Sequence, residues 1–220
     1  MKRKNLAIVL AVLLAFVLAG ILFFLKFTVV DFHIYSRSVP LPTMTDDTWF
    51  MPIKKGEYYF KQDHAFNLRY CEDMVCIDLG HSRIKDVDFA AFMPHLKYLI
   101  VTESAVQDIS GLSNCKELIY FENKFSIVRD LTPLLGCTAL EDLSLEAPEY
   151  LADMSPVYQM TWLKNLFIAK CPSRVFQAAQ EALPDTRVDF RGLSAKTGQG
   201  WRNLPNYYAM RDFLGMPYMI

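Results

Sequence analysis

The chain has 220 residues, is 52% hydrophobic and carries a formal net charge of −1. That balance excludes the clearly basic face that nucleic-acid binding requires. Its five cysteines, Cys71, Cys76, Cys115, Cys137 and Cys171, are odd in number and their spacings do not read as a disulfide framework.

At the amino end Lys2, Arg3 and Lys4 precede an uncharged apolar run from Leu6 to Leu25. As a helix these 20 residues would extend about 30 Å, enough to cross a bilayer. Basic residues on the amino side place that end in the cytoplasm and everything after Lys26 outside. Residues 1–26 are therefore expected to be a cytoplasmic basic tip and a transmembrane signal-anchor, making the membrane one partner. A cleavable signal peptide, with Val17-Leu18-Ala19 as a weak site and a secreted product, is the alternative. The apolar ILFFL that continues past that site argues for retention, and no cysteine closes the run for lipid attachment. Residues 27–48, with SRSVPLPTMTDD, read as an extended linker. Residues 49–73, with alternating aromatic content and a Lys-Gly turn, read as a β-type amino-terminal cap.

From Met74 the chain repeats. Met74, Leu96, Leu118, Leu140 and Leu163 are separated by 22, 22, 22 and 23 residues. Each opens an L-x-x-L-x-L pattern: Met74/Ile77/Leu79, Leu96/Leu99/Val101, Leu140/Leu143/Leu145 and Leu163/Leu166/Ile168. The third copy, Leu118/Phe121, has Asn123 where an apolar residue is expected, and the fourth carries a one-residue insertion in EAPEYL. This period and pattern are the signature of leucine-rich repeats. The expected fold is an α/β-type solenoid over 74–190: about five 22-residue coils, with a parallel β-sheet on the concave face.

The return half of each repeat is equally regular. Ile84, Val106, Val128 and Leu151 are each followed two residues on by an aspartate (Asp86, Asp108, Asp130, Asp153) and then by Val87, Ile109, Leu131 and Met154. One repeat has no core of its own, so these apolar residues must be buried by the next coil. The aspartates stand where the chain turns and are read as structural acceptors of backbone N–H groups. A calcium ladder would want several carboxylates and glycines per turn. Cys115 and Cys137 hold the same place in successive coils and read as small inward-facing thiols. The states of Cys71 and Cys76, at the entry to the first repeat, stay open.

The segments VQDISGLSNCKEL, VRDLTPLLGCTAL and LADMSPVYQMTWL resemble the leucine-rich repeats of internalin-like surface proteins of Gram-positive bacteria. The resemblance covers about half the chain, roughly Met74 to Phe190. Its closing segments, EALPDTRVDF and TGQGWRNLPNYYAMRDFLGMPYM, are also similar to the ends of such proteins. The resemblance implies the fold and is nearly silent on function.

Toward the carboxyl end SRVFQAAQEAL is apolar at helical spacing, Pro184 stops it, and TRVDF adds a last strand. Residues 191–220 read as a helical carboxyl-terminal cap. In it Pro205-Asn206 begin a helix whose Tyr207, Met210, Phe213 and Leu214 share a face expected to cover the last coil.

The chain contains no G-x-S-x-G, H-E-x-x-H or C-x-x-C motif, and nothing in it points to an enzyme, a cofactor or a metal site. What remains is a surface. Residues between the leucines of each strand face away from the core. They form columns Cys76/Tyr98/Tyr120/Asp142/Asn165, Asp78/Ile100/Glu122/Ser144/Phe167 and Gly80/Thr102/Lys124/Glu146/Ala169. Clustered aromatic groups beside carboxylates mark interaction surfaces. Tyr98, Ile100, Tyr120, Glu122, Asp142 and Phe167 are therefore the expected ligand-binding residues, for an unknown protein or cell-envelope ligand. These side chains could equally pack against the tail or a neighbouring chain. The chain could also serve as a structural or assembly subunit of an envelope complex, or as an accessory subunit of an envelope enzyme.

Overall fold

A computed structural model describes residues 3–27, 35–36, 74–79, 84–146, 153–190, 200 and 202–214. The expected amino-terminal cap, most of the linker, Cys71 and the insertion in EAPEYL lie outside these residues.

The first element, α1, is one helix, Arg3–Phe27. Within it, side chains are described for residues 8–22, and all are exposed. No helix among the described residues is long and apolar enough to cross a membrane; the stretch of α1 with described side chains is shorter than the Leu6–Leu25 run in the sequence.

Among the described residues seven strands form one sheet in strict chain order. They are β1 (Tyr35–Ser36), β2 (Met74–Asp78), β3 (Tyr98–Ile100), β4 (Tyr120–Asn123), β5 (Asp142–Glu146), β6 (Asn165–Ala169) and β7 (Arg187–Asp189). β1 pairs antiparallel to β2 and the other six are parallel. The register is the one the repeat dictates: Cys76, Tyr98, Tyr120, Asp142, Asn165 and Arg187 stand side by side, as do Asp78, Ile100, Glu122, Ser144, Phe167 and Asp189. Parallel neighbours one coil apart need a crossover each time, and the return half supplies it.

The returns are tight. In three coils they are 3₁₀ helices, Asp88–Phe92, Ser110–Asn114 and Thr132–Gly136. In the fourth, a short α-helix, α2 (Ser155–Tyr158), takes the same place. The fifth, longer return holds α3 (Ser173–Ala182). The leucine positions of all five strands, from Met74 to Ile168, enter one buried cluster with the apolar return residues; Asn123 is the exception. Met93, Cys115, Cys137 and Met160 form one column through it, and the Cys137 thiol donates to the carbonyl of Leu112 in the preceding coil at 3.2 Å. Burial pushes the Cys115 thiol up to about 11 and Cys137 to about 12, as expected of inert core thiols. Asn123 is buried, and its side-chain oxygen accepts from the Ser126 hydroxyl, so the polar interruption of the third coil carries its own partner.

Each aspartate of the ladder accepts from the N–H that begins the return helix two residues on. Asp108 takes Ser110 N–H at 2.8 Å, Asp130 takes Thr132 and Asp153 takes Ser155 at the same distance, and Asp86 takes Asp88 at 3.3 Å. The carboxylate satisfies a donor that no helical carbonyl reaches. Among the described residues no group of three or more His, Cys, Asp or Glu converges on a metal position. Coil spacing is also fixed by close approach: a Cβ on Gly111 would collide with the carbonyl oxygen of Val87, and one on Gly136 with that of Ser113. After the strands, Glu103, Phe125 and Lys170 take the same left-handed turn with φ of 55°, 53° and 53°.

Since the Asp108–Ser110 bond is exposed, Asp108→Ala is expected to destabilise the domain by about 0.5–2 kcal/mol, in the range of a lost helix cap. Urea or thermal melting in the presence and absence of a calcium chelator checks this; the chelator should leave the midpoint where it is.

Candidate functional site

The strand face turned away from the main core forms a second buried layer. Its lid is the carboxyl-terminal segment: an irregular stretch through Arg202, Asn203 and Leu204, then α4 (Pro205–Leu214). Tyr207 and Met210 enter one cluster with Val75, Cys76, Tyr98, Ile100 and Tyr120, while Leu204 packs on Phe167. The helix and its Tyr207 and Met210 lie where their spacing indicated. Their target differs from the expectation: they cover the sheet face of the early coils, not the end of the stack. Phe213, expected in the buried face, is 43% exposed. The reason is length, because the six parallel strands are three to five residues long and a helix of this size laid across them reaches several coils at once.

All six expected binding residues lie on this face and all are buried: Tyr98 is 8% exposed, and Ile100, Tyr120, Glu122, Asp142 and Phe167 are 3% or less. Tyr120 and Tyr207 meet with ring centroids 6.2 Å apart at 44°, within the range of favourable aromatic pairs. Replacing Tyr120 is therefore a change inside a packed layer, at odds with an outward-pointing side chain that could be removed at little cost to stability.

Glu122 is the polar centre. Its Oε1 accepts from Thr102 Oγ1 at 2.7 Å and Arg202 Nη2 at 2.6 Å, and its Oε2 accepts from Tyr120 OH at 2.8 Å and Arg202 Nε at 3.1 Å. This is the two-pronged geometry in which arginine grips a carboxylate. Burial alone would raise the Glu122 carboxyl. The Arg202 charge and the hydrogen bonds from Arg202, Thr102 and Tyr120 outweigh it and hold the group below the usual glutamate range. Asn206 adds a second tie, donating to Glu141 at 3.1 Å. Farther along, Asp142 accepts from Asn165 at 2.7 Å, and burial raises its carboxyl against that bond.

Lys124, just past the end of β4, has a side chain with no exposed area, and its Nζ lies 3.8 Å from Glu146. Burial pushes its ammonium down to about 8, against the opposite pull of Glu146 and Glu122. Glu146 also meets the exposed Lys170 at 3.0 Å. Thr102 and Lys124 were legible as column members, but Arg202 was not. A single arginine 80 residues from its partner carries no local signal; only the apolar spacing of Tyr207, Met210, Phe213 and Leu214 marked the segment.

The parallel sheet, tight returns and 22-residue step define a leucine-rich-repeat solenoid, internalin-like in its repeats. It is similar in structure to the internalin inlF of Listeria monocytogenes, at 16% identity over 58% of this chain with a TM-score of 0.47. It is also similar to internalin C2 of the same species (13% identity, 66% of this chain and 74% of that one, TM-score 0.39). A further likeness is to the plant peptide hormone receptor RGFR1 (13% identity, 56% of this chain and 22% of that one, TM-score 0.42). The chain spans 38% of the length of the inlF protein. No family model matches the chain, and no curated protein does.

Two outcomes are expected from these contacts. Arg202→Ala leaves the Glu122 carboxylate buried with its main counter-charge gone, which weakens docking of the segment by about 3 kcal/mol or more. Faster hydrogen exchange at the backbone amides of α4, with the strand amides still protected, is the readout. The second concerns pH. The folded-state value of Lys124, about 8, lies below the ordinary lysine value of 10.5, so the unfolded chain binds the proton more tightly and deprotonation favours folding. Relative to Lys124→Met, the wild type should gain stability as pH rises from about 8 to 10.5, and paired denaturation curves across that window test it.

Proposed function

We propose that the protein is a membrane-anchored extracellular module that recognises a polypeptide ligand, or another cell-envelope ligand, through Tyr98, Ile100, Tyr120, Glu122, Asp142 and Phe167. The observation that carries this reading is the way the face holds residues 202–210. A guanidinium is gripped by a buried carboxylate, an aromatic ring is seated on Tyr120, and smaller apolar side chains fill in beside them. Aromatic and arginine anchors of this kind dominate protein interfaces.

The anchor rests on sequence and on exposure. Leu6–Leu25 is uncharged and Lys2, Arg3 and Lys4 precede it. Between residues 8 and 22 every side chain of α1 faces outward, including Phe16 at 73% exposure. An apolar helix with no packed face requires a lipid or protein environment.

Full-length protein is expected to stay in the membrane fraction and need detergent, while a chain starting near Phe27 is soluble. Recovery of a mature protein beginning near Gly20 would establish cleavage instead. For recognition, Tyr98→Ala should weaken capture of the ligand from envelope extracts about tenfold, or about 1.4 kcal/mol, at a temperature where circular dichroism shows the variant folded. Unchanged capture would move recognition off this face.

A further inference from the structure

Residues 202–213 contribute nothing to the main core. Every member of the large buried cluster lies between Met74 and Val188, whereas Leu204, Tyr207 and Met210 belong to the two small clusters on the opposite face. The solenoid thus completes its own core, and the carboxyl-terminal segment is laid on it as a peptide would be. Its grip is concentrated in few side chains. Arg202 takes both oxygens of Glu122, Tyr207 packs at a tilt against Tyr120, Met210 joins that cluster, Leu204 sits on Phe167 and Asn206 ties to Glu141. The sheet side of this contact is built in advance: Thr102 and Tyr120, from the strand region itself, already orient the Glu122 carboxylate that receives the guanidinium.

We infer that this segment is an exchangeable intramolecular ligand, and that what replaces it is a segment of another protein presenting an arginine and, five residues on, an aromatic side chain. This rests on the reading of the chain as a polypeptide-binding module and adds that the site is self-occupied at rest. A tethered segment acts at a millimolar-scale effective concentration, so an incoming partner must outcompete it. The tail then sets a threshold: weak arginine-bearing segments are excluded, and a partner that matches both anchors gains entry.

The probe is a fluorescein-labelled peptide of residues 200–214, titrated against the full-length protein in detergent. Arg202→Glu in the protein sets the tail against Glu122, and the peptide, which keeps its arginine, should then bind at least tenfold more tightly than to wild type. Adding Glu122→Arg to that variant should abolish peptide binding while restoring the tail. A folded Arg202→Glu protein that binds no better than wild type overturns the inference. Should that variant not fold, the wild type decides. Cys76 lies under the segment in the cluster of Tyr207 and Met210, while Cys115 and Cys137 lie in the main core. Thiol labelling resolved by peptide mapping should modify Cys76 at least tenfold faster than those two; a single common rate would show that the segment opens only with global unfolding. That failure would still leave ligand capture from envelope extracts as a separate test of the binding function. A dimer that grows with protein concentration and is dissolved by the peptide would overturn the assignment of the occupant to another protein.

Discussion

No coil of this protein can bury its own apolar side chains, and everything else in the structure answers to that constraint. A 22-residue turn has one strand and one short return, too little material to enclose anything. Its leucines are buried only because the next coil repeats them at the same height. The step must therefore be constant, and the chain keeps it constant with small devices. The aspartates hold the start of the first four returns, glycines permit backbone contact between Gly111 and Val87 and between Gly136 and Ser113, and one left-handed turn recurs after the strands. Where the step changes, at the 23-residue interval before Leu163, the return becomes the α-helix α2, and the strand register continues unbroken.

Stacking solves one face of the sheet and leaves the other uncovered. The side chains on that other face have no period that would bury them, because alternation along a strand sends them outward. Here they are large and aromatic over the early coils, and the chain covers them with its own end. The two layers differ in kind. The core is a continuous column of aliphatic groups; the second layer is organised round a single carboxylate, Glu122, reached from three parts of the chain: Thr102, Tyr120 and Arg202. Burying such a charge is costly unless every acceptor site is filled, and four hydrogen bonds fill it. Removing the arginine therefore changes the layer more than removing an apolar neighbour would.

The polar residues beyond Glu122 follow the same logic in weaker form. Asp142 shares its carboxylate with Asn165, and Glu146 stands between the buried Lys124 and the exposed Lys170. Tyr98 and Tyr120 stand on β3 and β4 beside Glu122, Asp142 and Glu146 follow on β5, and Phe167 adds a further aromatic group on β6.

The fold was legible because it is periodic. Met74, Leu96, Leu118, Leu140 and Leu163 set the step, the alternation between them set which side chains face away from the core, and the aspartate spacing identified the turns. Even Cys115 and Cys137 could be placed inward from their separation alone. All of these are local or nearest-neighbour properties, which is the range over which a solenoid is determined. The helix at Pro205 was legible for the same reason, from the spacing of Tyr207 and Met210. Where that helix docks was not. Arg202 and Glu122 meet across 80 residues, and neither residue type nor spacing announces such a pair. The six residues of the candidate site were correctly assigned to one face from the repeat, but whether that face is open or occupied depended on a single non-local contact. Periodic spacing in the sequence determined what each coil buries; the tertiary structure decided what covers the face left over, because only there does the buried Glu122 carboxylate find the Arg202 guanidinium.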